Sequence, residues 1–168
     1  PFCLLLHHKA PHRTWQPDTL HLEEFKNKTY PVPENFFDNY EGRRAAAEQH
    51  LSIRSDDMDL AYDLKMEDSQ GRIVSRFNWI KPESPMHTAR MNEKEKARWN
   101  EHYQPITEDF IQKNLQGDDL YLWKYQRYIQ DYLACIRSVD ENVGRVLDYL
   151  EENGLSENTL VVYTSDQG

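Results

Sequence analysis

Thr159-Leu160-Val161-Val162-Tyr163-Thr164-Ser165-Asp166-Gln167-Gly168 is the stretch on which the fold class turns. Its β-branched, apolar first part runs straight into a polar tetrapeptide. A short run of this kind reads as a parallel strand buried on both faces. In open α/β sheets, ligands settle just past the carboxyl ends of such strands. There the Asp166 carboxylate and the Gln167 amide oxygen, followed by Gly168, suit a hard cation such as calcium or magnesium. The same tetrapeptide also makes an ordinary polar turn, and from these residues alone both readings stand.

Upstream lies the clearest element, a helix from about residue 119 to 153. Ile129, Tyr132, Leu133, Ile136, Val139, Val143, Val146, Leu147 and Leu150 recur at the three-four spacing of one helical face. Asp118 is placed to cap its start and Gly154 to stop it. Gly144 is costly inside a helix and suggests another backbone packed closely there. Asp140 and Asp148 fall on the polar face. A long helix, the turn Gly154-Leu155-Ser156-Glu157-Asn158 and a buried strand make the second half of a βαβ crossover.

Residues 2–8 read as a second buried strand, with His7 and His8 on alternate faces and one of them turned to the core. The loop 9–17 follows, fixed by Pro11 and Pro17. The expected class is therefore α/β, a parallel sheet with helices on both faces. Between the two apolar runs, residues 18–118 form a helical and irregular excursion. Residues 18–41 lack periodicity, and Phe36, Phe37 and Tyr40 are expected to pin them by burial. A short helix is predicted through 44–49, a charged helix over 93–102 stopped by Pro105, and another over 106–114. Leu60-Ala61-Tyr62-Asp63-Leu64 stays open between helix and strand. Asp56-Asp57-Met58-Asp59 lacks the spacing of a calcium loop and reads as solvated.

The 168 residues carry a formal net charge of -9. That excludes a nucleic-acid binder relying on a basic stripe, and an anionic substrate needs a local cluster of cations. No stretch of 18 apolar residues exists to span a membrane. Cys3 and Cys135 both read as small buried hydrophobes. The chain opens at Pro1 on an apolar run and closes on a strand-end loop, so both ends read as cuts through one larger domain.

Residues 131–168, from Asp131-Tyr132-Leu133 through Ser138-Val139-Asp140-Glu141-Asn142-Val143-Gly144 to Ser165-Asp166-Gln167-Gly168, resemble the type I sulfatases. These are the formylglycine-dependent sulfate-ester hydrolases of the alkaline-phosphatase superfamily. Leu4-Leu5-Leu6-His7-His8-Lys9-Ala10-Pro11-His12-Arg13 is similar to that family's second conserved strand and its Ala-Pro-His loop. Phe36-Phe37-Asp38-Asn39-Tyr40-Glu41-Gly42-Arg43 is similar to bacterial sulfatases of glycosaminoglycans or mucin glycans, nearest to the N-acetylglucosamine-6-sulfatase group.

The resemblance implies an inner portion of one sulfatase catalytic domain with an alkaline-phosphatase-like sheet. It implies Asp166 and Gln167 as ligands of calcium, His12 as the histidine that contacts sulfate and assists the leaving alcohol, and Lys9 as a sulfate contact. Arg13 and Trp15 are further substrate-binding candidates, a forked cation and a ring able to stack on a sugar. The implied partner is a sulfated carbohydrate, and family habit points to a periplasmic, secreted or lysosomal setting. Neither cysteine lies in the family's C/S-x-P-x-R nucleophile motif, so the formylglycine is expected outside these residues. This piece is expected to be inactive alone and to bind calcium weakly or not at all, since calcium takes six to eight oxygens. A phosphate mono- or diester hydrolase on the same scaffold, or a non-catalytic binding domain, are the alternatives.

Overall fold

The computed structural model describes residues 2–68, 70–80 and 86–165. Three helices follow in order: α1 (Arg44–Glu48), α2 (Glu93–Lys113) and α3 (Gly117–Glu152), with a 3-10 turn at Ser156–Asn158. No β-strand occurs among the described residues, which corrects the expectation of strands at 2–8 and 159–164. The apolar pattern is there, but a strand exists only when a neighbour completes its ladder. No described segment pairs with either run, so Leu5 and Leu160 stand 72% and 90% exposed. His7 and His8 are exposed as well, and neither turns to a core.

The helix predicted to stop at Pro105 does not stop. Asn92 Oδ1 accepts from the backbone of Lys94 and Glu95, both at 3.0 Å. Glu95 reaches back to the Asn92 N–H at 2.8 Å, which completes a capping box. Pro105 then removes the one N–H that would reach Glu101, a loss of about 3 kcal/mol in an isolated helix. Burial of Trp99, His102, Tyr103 and Thr107 on either side carries α2 through it to Asn114, a left-handed cap at φ 45°.

α3 begins two residues earlier than expected, at Gly117. Gln116 is its N-cap, and Asp118 and Asp119 lie in the first turn, where carboxylates favour the positive end of the helix dipole. Its end matches expectation. Leu155 N–H donates to Leu150 O at 2.8 Å and Gly154 N–H to Glu151 O at 3.0 Å, a Schellman pair requiring the left-handed Gly154. No other group approaches within 4 Å of a Cβ placed on Gly144, so no close backbone packing explains that glycine.

The core gathers where periodicity was absent. Leu22, Met58, Leu64, Met66 and Ile73 from the irregular excursion close over Trp99 and Tyr103 of α2. Phe110 of α2 meets Trp123 of α3 at 4.4 Å between ring centroids. Side chains of α3 also satisfy backbone groups of the excursion. Gln126 bridges both polar groups of Tyr30 at 2.9 and 2.8 Å, Gln130 donates to Lys28 O, and Tyr125 to Pro31 O. Phe36 lies edge-on against Tyr125, while Phe37 is 44% exposed, so only part of the expected aromatic pin is buried.

The buried face of α3 in its first half is polar, contrary to the apolar stripe read from sequence. Asp131 Oδ2 accepts from Lys65 Nζ at 3.1 Å, and Oδ1 accepts from Arg127 at 2.8 Å. All three side chains are nearly or fully buried. Ile136 and Leu147, by contrast, remain exposed.

His87 adds a second buried polar group. Its Nδ1 accepts from Gln16 Nε2 at 2.8 Å and its Nε2–H donates to Ala61 O at 3.0 Å. Burial, aided by the nearby Lys65 charge, depresses this imidazole to about 4. A histidine depressed on folding binds more protons unfolded than folded between its ordinary value and pH 4, so stability falls as pH drops through that window. We expect up to about 3 kcal/mol of loss at this site between pH 6.5 and 4. Urea unfolding across pH, compared with His87→Gln, checks it: the variant should show a flatter profile.

Candidate functional site

The loop from Lys9 to Gln16 is built from two successive turns. His12 N–H donates to Lys9 O at 2.9 Å and Trp15 N–H to His12 O at 3.2 Å. Lys9 and His12 are both exposed. His12 Nδ1 lies 2.6 Å from Arg13 O. A carbonyl only accepts, so Nδ1 carries the proton of that bond, and Nε2 has no partner among the described residues.

What holds the loop is on its inner side. Arg13 forks onto Asp63, Nε to Oδ1 at 2.6 Å and Nη2 to Oδ2 at 2.5 Å. The same Nη2 donates to Asp57 O at 2.7 Å, and the guanidinium lies 5.5 Å from the centre of the Tyr62 ring. Asp63 is fully buried and also accepts the Asp59 N–H at 2.8 Å. Trp15 packs edge-on against Tyr128 at 4.7 Å and joins the core margin. Gln16 completes the anchorage through His87.

The candidates therefore separate. Lys9 and His12 are exposed residues of one turn. Arg13 and Trp15, read from sequence as substrate contacts, have their fork and ring engaged within the protein. Asp166 and Gln167 lie outside the described residues. Among the described residues no group of three or more His, Cys, Asp or Glu is arranged to hold a metal ion. No described helix is long and apolar enough to cross a membrane.

Sequence reasoning missed the aspartates beneath the loop. Asp59 is buried and accepts from Tyr62 N, Ser75 Oγ and Arg76 N at 2.7–2.9 Å. Asp57 takes Ser55 Oγ at 2.6 Å and Arg76 Nη1 at 2.7 Å, and these partners hold its carboxyl below the ordinary range. Of the cluster read as solvated, Asp56 is exposed and Asp57 half-buried, while Asp59 is an internal scaffold residue. The available hint was the placing of Asp63 between Tyr62 and Leu64, inside a locally apolar stretch. Cys135 is buried, and burial pushes its thiol up to about 12, whereas Cys3 is exposed, against expectation.

Residues 1–168 match the family model described as Sulfatase. The chain belongs to the sulfatase family. It is 41% identical over 175 residues to the N-acetylglucosamine-6-O-sulfatase of Bacteroides thetaiotaomicron, covering 100% of this chain and 29% of that protein. A sulfatase of Formosa agariphila is 44% identical over 45 residues, 27% of this chain and 9% of that one. Among solved structures, BT4656 in complex with its substrate D-glucosamine-2-N,6-O-disulfate superposes with a TM-score of 0.78 at 39% identity. That match covers 92% of this chain and 30% of the BT4656 chain. This sulfatase chain thus spans under a third of the length of the Bacteroides thetaiotaomicron relative and of the BT4656 chain, and it shares the fold of the latter over the matched portion.

Proposed function

We propose that the full-length protein removes sulfate from the 6-position of an amino sugar in a glycan, with His12 protonating the departing sugar oxygen. The observation that supports this reading is the exposed His12 ring, its Nδ1 held by Arg13 O, on a loop clamped by the Arg13–Asp63 fork. Sequence kinship to an N-acetylglucosamine-6-O-sulfatase supplies the ester. Sulfate-ester hydrolysis expels a poor alkoxide, and an imidazolium carrying a proton on Nε2 as well as on Nδ1 delivers the missing proton and is left neutral. Lys9 adds an exposed cation in the same turn of a chain whose formal net charge is -9.

Asp166 and Gln167 together offer a carboxylate and an amide oxygen, the hard-donor chemistry that calcium takes, with its other ligands coming from elsewhere in the full-length protein. An ion held by these two residues would supply charge neutralisation at the sulfate oxygens. The nucleophile belongs to the part of the protein beyond these residues.

The test is release of inorganic sulfate by the full-length protein from 6-O-sulfated glucosamine, beside glucosamine 6-phosphate and a 2-O-sulfated uronate. Sulfate from the first substrate alone is expected. Faster phosphate release would move the protein to the phosphoesterase reading. Folded protein silent on all three would leave a binding role for the scaffold.

The clamp makes its own prediction. Arg13→Lys keeps the charge but cannot span both Asp63 oxygens and Asp57 O together. Looser placement of His12 is expected to lower kcat about 10-fold with KM nearly unchanged, measured by the same sulfate release. An unaltered kcat would show that the fork serves stability alone.

A further inference from the structure

Among the described residues, two side chains tie the loop from Lys9 to Gln16 to the rest of the protein by hydrogen bonds. One is Arg13, forked on Asp63 and bonded to Asp57 O. The other is Gln16, whose Nε2 donates to His87 Nδ1 at 2.8 Å. His87 passes that tie on, since its Nε2–H donates to Ala61 O at 3.0 Å. Both routes therefore end on one stretch, residues 57–63. The imidazole between them is buried and stacks on Trp99 of α2, with ring centres 5.8 Å apart at 27°. Gln16, by contrast, is an exposed residue.

The chemistry of the ring fixes the direction of each bond. Ala61 O only accepts, so the His87 proton sits on Nε2 and Nδ1 is left as the acceptor that Gln16 requires. The other tautomer would set a lone pair against Ala61 O. Two attachments also do what one cannot. A loop held by the Arg13 fork alone can pivot about that side chain, and a second point three residues on removes the pivot. His12 lies between the consequences of both: it precedes Arg13, and its carbonyl accepts from Trp15 N–H, the residue before Gln16, at 3.2 Å.

We infer that His87 is a positioning residue: through Gln16 it holds the end of the loop and so fixes where His12 stands when it delivers its proton. The role rests on the part proposed above for His12 in sulfate release, but the hold on the loop is measurable without turnover. Hydrogen–deuterium exchange of the full-length protein, read by mass spectrometry, reports it directly. Gln16→Leu, a change at an exposed residue, and His87→Leu should each speed exchange in a peptide covering residues 9–16 by about 10-fold and leave peptides of α3 at the parent rate. His87→Asn places an oxygen near the position of Nδ1 and should recover most of what His87→Leu loses. On 6-O-sulfated glucosamine, Gln16→Leu should lower kcat about 10-fold with KM nearly unchanged. The double variant Gln16→Leu/His87→Leu should lose no more than His87→Leu alone, because both changes remove the same bond. Unchanged exchange at 9–16 in Gln16→Leu, equal speeding in α3, additive losses in the double variant, or a normal kcat despite a loosened loop would overturn the inference. Should His87→Leu fail to fold, Gln16→Leu alone still decides it. A parent protein that releases no sulfate would strike the hydrolytic reading, and the exchange comparison would still decide whether His87 holds the loop.

Discussion

Replacing His12 by alanine in the full-length protein is expected to lower kcat for a 6-O-sulfated amino sugar by about 10²- to 10⁴-fold. The loss follows from the leaving group: a sugar alkoxide departs slowly unless it takes a proton as the S–O bond breaks. His12 is exposed and the only described hydrogen bond of its side chain is to its neighbour's carbonyl, so the substitution should leave the fold intact. KM should move little, since Lys9 stays in place. A second substrate sharpens the result. An aryl sulfate with a strongly acidic phenol needs no proton to leave, so its hydrolysis should suffer far less. Equal losses on sugar and aryl esters would show that His12 positions sulfate without acting as an acid.

The second large effect concerns stability. Asp131→Ala is expected to destabilise the protein by about 3–5 kcal/mol, because it strands Lys65 and Arg127 as buried cations without an anion. Lys65→Met should cost less, since Asp131 then keeps Arg127. Replacing all three by apolar residues of similar size should recover much of the loss. Urea unfolding of the four proteins gives the comparison; equal destabilisation by Asp131→Ala and Lys65→Met would contradict it. Burial alone would raise the Asp131 carboxyl, but Arg127 and Lys65 together hold it below its ordinary value. The stability it contributes is therefore present above the ordinary carboxylate range and lost as pH falls through the depressed value.

The helices were legible because their information is local. Spacing along 119–153, the glycine at 154 and the charged run after Asn92 each act within a few residues. Pro105 misled because the force that overrides it, burial of Trp99 and Tyr103 against the excursion, comes from distant segments. The strands misled for the same reason in reverse: apolar runs show that a segment wants partners, not that partners are present. At the site, the Pro-flanked His12 was readable as a type of residue in a type of loop. The Arg13–Asp63 fork, spanning fifty positions, had no local trace.

The 36-residue α3 has a further consequence, because one uninterrupted rod carries the ionic centre near its beginning and the exit toward residues 159–165 at its end. Adding or deleting a single residue between Cys135 and Leu150 would turn everything downstream by about 100° while advancing it by only about 1.5 Å. Related chains should therefore keep the length of this rod fixed and confine their insertions to the irregular segment before α2. In that sense α3 serves as a phase reference, setting the azimuth at which the last apolar run leaves the helical part of the protein.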